Sequence, residues 1–245
     1  MKYLAFCLVA IQLQTGFGQT TPMRSLEELV NREDPGWRFV EEWIEEATNQ
    51  VEVLKRDAKK ADAALYQTQV TTRSPMGAII YETGGILVDH GWIRILGSGS
   101  AKMTRSLPEW NKGKLAGELG QGTTLLLIAD DAIGGYFALN GGAFGNDLGK
   151  VYYFSPDNLE WEPLDVGYSE FVYWAFTGDL EQFYEGLRWN TWRKEVSLMD
   201  GDQVVHFFPY LWTEYEDLEK LSRKAVPVEE MWNLQMDLKN QLFGN

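Results

Sequence analysis

The sequence predicts an α+β fold: one central, mainly antiparallel sheet flanked by N- and C-terminal helices. Two observations carry that prediction. Apolar residues recur at helical spacing before residue 68 and again after residue 167. Between them, short apolar runs alternate with Gly, Asn, Asp and Pro, the pattern of a β-meander. No repeats and no low-complexity tract interrupt this order, and 245 residues suit a single domain.

The elements follow in order. In "SLEELVNREDPGWRFVEEWIEEATN", Ser25 and Glu28 form a capping box, and Asp34-Pro35 restarts a helix. Trp37, Val40, Trp43 and Ile44 then share one face, with Glu41, Glu42, Glu45 and Glu46 outside. Residues 51–68 read as a further helix along Leu54, Ala58, Ala61 and Leu65. A short helix from Pro75 is expected to stop at Gly84-Gly85 through a left-handed cap. Leu87-Val88 and "WIRIL" have strand composition, and the Gly-rich stretch 97–122 reads as a mobile surface excursion. The meander comprises "TTLLLIAD", "GYFALN", "KVYYF" and "EWEPL", with Leu125–Ala129 as a central strand. Helical pieces broken at Gly178-Asp179, a strand-like "QVVHFFPYLW" and a helix from Pro227 close the chain.

The first residues read as an export signal. "MKYLAFCLVAIQLQTGFGQ" has a cation at Lys2, an apolar run to Leu13 and small residues at Gly16 and Gly18. Residues 1–18 are therefore the expected signal peptide, cleaved after Gly18, and 19–245 a single domain. The expected location is periplasmic or secreted. The apolar run is too short to span a bilayer, so no stable membrane insertion is expected after cleavage. Cys7, the one cysteine, leaves with the signal, so packing rather than disulfides must hold the domain.

Charge narrows the partners. Lys and Arg number 22 against 36 Asp and Glu, a net charge of −14, which disfavours nucleic acid and anionic membranes and steers in basic surfaces. The same acidity also serves solubility.

Candidate chemistry is sparse. The glycines of "NGGAFGNDLGK" run into a strand and not a helix, so a phosphate loop is excluded. Asp130, Asp131, Asn140, Asn146 and Asp147 are oxygen ligands close in sequence, yet they lack the spacing of a calcium loop and suit turns better. His90 and His206 lie far apart, which leaves zinc without a ligand set. Asp89-His90 reads as a turn, and no nucleophile elbow is present. No catalytic residue, metal or cofactor is assigned. Trp92, Trp110 and Trp161 sit near loops or strand ends, where an indole serves as an interface anchor or a sugar platform, or else as a lid over core. Trp92 and Trp110, with Asn111, Asp130, Asp131, Asn140 and Asp147, form the candidate interaction set.

Two resemblances add to this. "EDPGW", "TTRSPMGAIIYETGGILVDHGWIRILGSG", "SLPEWN" and "VPVEEMW" are similar to the bacterial family known as domain of unknown function 2625, over residues 23–240. Residues 124–184, with "DDAIGGYFALN", "GKVYYFSPD" and "YSEF", resemble the SUKH superfamily, which holds many bacterial toxin-immunity proteins. That second resemblance implies a SUKH-like core over about 74–187, a C-terminal extension over 188–245, a protein partner and no cofactor. The resulting expectation is an exported, non-enzymatic module that binds a protein partner, such as a basic toxin domain. Its alternative is an envelope glycan-binding module or enzyme using loop Trp and carboxylates.

Overall fold

In the computed structural model residues 22–114 and 123–243 are described; the expected signal segment and its cleavage point lie outside them. Seven strands pair in chain order as an antiparallel meander: β1 Val51–Val53, β2 Gly85–Val88, β3 Ile93–Leu96, β4 Leu125–Asp131, β5 Tyr136–Asn140, β6 Lys150–Phe154 and β7 Trp161–Gly167. A second sheet pairs β8 Gln203–Phe208 with β9 Ser222–Pro227. The expected central strand is β4, fourth of seven, buried from Leu127 to Asp131.

Local chemistry starts most helices where the sequence marks them. Ser25 and Glu28 cap α1 (Leu26–Leu29) reciprocally, and Asp57 accepts from the Lys59 and Lys60 amides to open α3 (Ala58–Thr68). Ser74 does the same for α4 (Pro75–Glu82), and a second capping box, Ser106 with Glu109, opens α5 (Leu107–Asn111). Between them α2 spans Trp37–Glu45. After the meander come α6 (Tyr168–Thr177), α7 (Leu180–Phe183), α8 (Trp192–Ser197) and α9 (Val228–Phe243).

Helices cover both faces of the meander, and the strand pleat decides which residue meets which layer. Phe137 and Tyr153, opposite each other on β5 and β6, face Phe171 of α6 and Phe183 and Tyr184 beyond it. Their neighbours Tyr136 and Phe154 point the other way, where Trp110 of α5 and Trp232 of α9 pack on Tyr136 at 6.3 and 4.8 Å.

Four expectations are corrected. Residues 51–68 are not one helix: Val51 and Val53 pair with Val88 and Ile86 as the edge strand β1, and the helix waits for Asp57. Alternating β-branched residues favour the strand, and an N-cap before Ala58 sets the later start. The stretch from Gly97 is no surface excursion as far as it is described. Gly97, Ser98, Met103, Arg105 and the α5 residues Leu107, Pro108, Trp110 and Asn111 are buried. Helix α4 ends on an extended Thr83 instead of a left-handed glycine. Gly85, at φ 133°, starts β2 where a Cβ would strike the Met103 side chain. Finally, β9 was not expected, so the described residues form two sheets and not one. As the edge of a two-stranded sheet, "SRKAVP" needs only Val226 buried and opens with three polar residues, Ser222, Arg223 and Lys224.

Candidate functional site

The two aspartates ending β4 diverge. Asp130, fully buried, faces the α5 side and is held by two arginines. Arg94, directly opposite on β3, donates from Nε to its Oδ1 at 2.5 Å, and Arg105 pairs with Oδ2. Both guanidiniums extend further. Arg94 reaches the carbonyls of Gln203 and Asp131, while Arg105 bonds Asp202 (3.1 Å) and the Gly201 carbonyl (2.9 Å). Buried ions are tolerated when paired and hydrogen-bonded, and here each guanidinium nitrogen and each Asp130 oxygen has a partner. Chemically the arrangement is a staple fastening the start of β8 and the loop before α5 to the sheet. Burial pulls the Asp202 carboxyl up, but bonds from Thr104 and the Arg105 charge outweigh it and leave it below its ordinary value.

Asp131 faces α6. Its Oδ1 accepts from the amides of Ile133 (3.0 Å) and Gly135 (2.7 Å), and its Oδ2 from the hydroxyls of Tyr153 (2.8 Å) and Tyr184 (3.3 Å). Burial nevertheless raises its pKa above the usual carboxylate range.

Trp92 and Trp110 are 0% and 3% exposed, so each indole lies inside the core and offers no surface to a partner. Trp92 packs on Trp192 (4.9 Å), Tyr184 (5.3 Å) and Trp189 (5.8 Å), with the Arg188 guanidinium over its ring at 4.7 Å. Arg188 in turn pairs with Asp89 at 2.7 Å, and Asp89 and His90 both adopt positive φ, forming the turn between β2 and β3. Trp110 lies between the cations of Lys114 (4.1 Å) and Arg105 (4.8 Å). Asn111 joins α5 to β4: its amide donates to the carbonyls of Leu107 and Leu127 and its oxygen accepts from the Leu127 amide, all within 2.9 Å. Those bonds satisfy a buried strand segment that has no further ladder there.

Asn140 and Asp147 organise the turn between β5 and β6. Asn140 accepts from the Gly142 and Phe144 amides and donates to Asp147 at 2.5 Å, and Tyr152 donates to Asp147 at 2.7 Å. That Tyr152 bond is the main reason the Asp147 carboxyl lies below its usual range. The structure therefore brings Asp130, Asp131 and Trp92 into one buried region, sets Trp110 and Asn111 beside it, and leaves Asn140 and Asp147 in a separate turn. No cleft joins the three aspartates, and no group of three or more His, Cys, Asp or Glu suited to a metal occurs among the described residues.

Open concave surface lies elsewhere. A cleft of about 770 Å³ beside α1 is lined by Leu26, Val30 and Tyr81 with Glu27, Glu28, Glu33 and Asp62, and Arg32 is a cation among them. Hydrogen bonds from the Ser25 amide and hydroxyl hold the Glu28 carboxyl below its usual value, so it stays ionised. A smaller hollow of about 340 Å³ lies on the β8–β9 hairpin. Neither was singled out from sequence. The hairpin's signal was present as four aromatic side chains two residues apart, His206, Phe208, Tyr210 and Trp212, in a run read only as a strand. The cleft's acids were masked by a chain rich in acids throughout.

Comparison with known proteins identifies the family. The profile described as "Protein of unknown function DUF2625" matches residues 26–231. "Putative uncharacterized protein YbfG" of Escherichia coli is 45% identical over 218 residues, covering 89% of this chain and 98% of that protein. An "Uncharacterized protein" of Haemophilus influenzae is 44% identical over 220 residues, covering 89% of this chain and 96% of its own length. The chain belongs to the DUF2625 family.

Proposed function

We propose that this DUF2625-family protein is an exported, non-enzymatic module that binds a protein partner bearing a basic surface, in the manner of an immunity protein toward a toxin or effector. The observation that carries this reading is the α1 cleft, whose lining sets four carboxylates and the single cation Arg32 beside Leu26, Val30 and Tyr81, with Arg56 over the Tyr81 ring and 4.0 Å from Asp62. Such a surface draws in a cationic segment and then buries its apolar side chains. The net charge of −14 extends the steering field beyond the cleft. A SUKH-like assignment of the core is part of the same proposal, supported by the antiparallel meander with helices on both faces. Trp110, buried between two cations, is no sugar platform, which weakens the envelope-glycan alternative as first framed.

The test is capture from an envelope extract with the full chain and with the double variant Glu27→Lys, Glu33→Lys. A basic protein retained by the wild type at low salt, and lost in the variant or at high salt, is the expected result. Equal recovery by both forms removes the cleft from the proposal, and recovery of no protein removes the proposal.

A further inference from the structure

We infer that the outer face of the β8–β9 hairpin is a second binding site, for a carboxylated saccharide, separate from the α1 cleft. Strand register builds it. His206 stands opposite Lys224 and Phe208 opposite Ser222, so these four side chains share one face. Phe207 and Arg223, the pair between them, point inward, where each meets the Trp189 ring. The Arg223 guanidinium is spent on Glu195 at 3.2 Å, whereas Lys224 makes no ion pair among the described residues.

The hollow is lined by His206, Phe208, Ser222, Arg223 and Lys224, without a carboxylate, on a chain of net charge −14. Phe208 is 64% exposed, a large apolar ring facing water. Tyr210 and Trp212 line a neighbouring hollow that shares His206, and the rings connect the two: Tyr210 stacks on His206 at 5.4 Å and on Trp212 at 4.3 Å, with Phe208 edge-on to Tyr210. An aromatic wall beside a hydroxyl and a lone ammonium suits a ligand with an apolar face, many hydroxyls and one negative charge. A pyranose carrying a carboxylate has that chemistry. At about 340 Å³ the hollow is at the small end of ligand pockets, which run from roughly 300 Å³ upward. It is also a side-chain face and not a strand edge, so it does not present the backbone pairing that an extended peptide uses.

The experiment titrates the full chain with oligogalacturonate, following tryptophan fluorescence and heat. Methyl-esterified oligogalacturonate and oligo-glutamate serve as comparators. Saturable binding of oligogalacturonate is expected, weakened about tenfold or more by esterification, since the ammonium then loses its counter-charge. Phe208→Ala and Lys224→Glu are each expected to weaken it by a similar factor. Both side chains are exposed, so the melting temperature should hold and loss of binding is not loss of fold. Glu27→Lys with Glu33→Lys should leave this binding intact. No saturable binding, or binding indifferent to Phe208→Ala, overturns the proposal. Oligo-glutamate binding as tightly as the saccharide also overturns it, and assigns the face to acidic peptides.

Discussion

Adjacent tyrosines on β6 each donate a hydroxyl to an aspartate, Tyr152 to Asp147 at 2.7 Å and Tyr153 to Asp131 at 2.8 Å. The two bonds are alike, but the carboxyls shift in opposite directions. Asp131, inside the core, is raised although it accepts from four donors. Asp147, in a turn open to water, is lowered with the Tyr152 bond as the main cause. Because consecutive strand residues point to opposite faces, one step along β6 moves the hydroxyl from a fully buried carboxylate to a partly exposed one in a turn, although both tyrosines are buried. Solvent access, and not the identity of the partner, sets the sign. The same lesson covers the region around them: acids near β4 are structural because they are buried, and acids near the turn are structural because they cap it.

The strongest way to break that comparison is to remove the carboxylate whose loss strands two buried cations. Asp130→Ala leaves Arg94 and Arg105 without their shared partner, and both are buried. Breaking a buried pair by removing one member costs about 3–5 kcal/mol. The urea midpoint is expected to fall accordingly, and a loss near that of a surface substitution would show that the staple is dispensable. Asn140→Ala tests the turn. It removes acceptors for the Gly142 and Phe144 amides and the bond to Asp147, a loss on the order of 1–3 kcal/mol. A cost equal to that of Asp130→Ala would erase the distinction between core and turn.

How much of this could be read from the residues varies with the kind of signal. Caps and turns were legible because their chemistry is local: Ser25 with Glu28, the helix start at Pro75 and the Gly178-Asp179 break all mark element ends where they occur. The meander strands were legible from alternation with turn formers. β1 was misread because three residues cannot establish a period, and Leu54 extends either a strand or a helical stripe. The burial of Asp130 was invisible, since it depends on Arg94 opposite it in register and on Arg105 arriving from 25 residues away. For Trp110 the sequence left interface anchor and lid over core both open; burial decides for the lid, the ring being covered by Lys114, Arg105 and Trp232, whose positions only the tertiary fold sets. The hairpin face was lost because β9 opens with three polar residues and ends in a proline, which gives no strand signal.

The finest test uses pH, with Asp131→Asn and Asp147→Asn measured against the wild type from acid to neutral. A carboxyl raised in the folded state binds its proton more tightly there than in the unfolded chain, where an aspartate titrates near roughly 3.9. Asp131 therefore favours folding most at low pH, and that contribution is lost as pH rises through its raised folded value. The stability of wild type relative to Asp131→Asn is expected to fall on going from acid to neutral. Asp147 has the opposite sign. Its lowered carboxyl releases the proton earlier in the folded state, so its contribution is complete above the unfolded value and lost as pH falls through the folded one. Wild type relative to Asp147→Asn should gain stability from acid upward and then level off. Urea unfolding at a series of pH values reads both slopes on the same chain, so differences in the unfolded state largely cancel. Parallel slopes would mean that the hydroxyl donated by each tyrosine, and not its side of β6, governs the carboxylate.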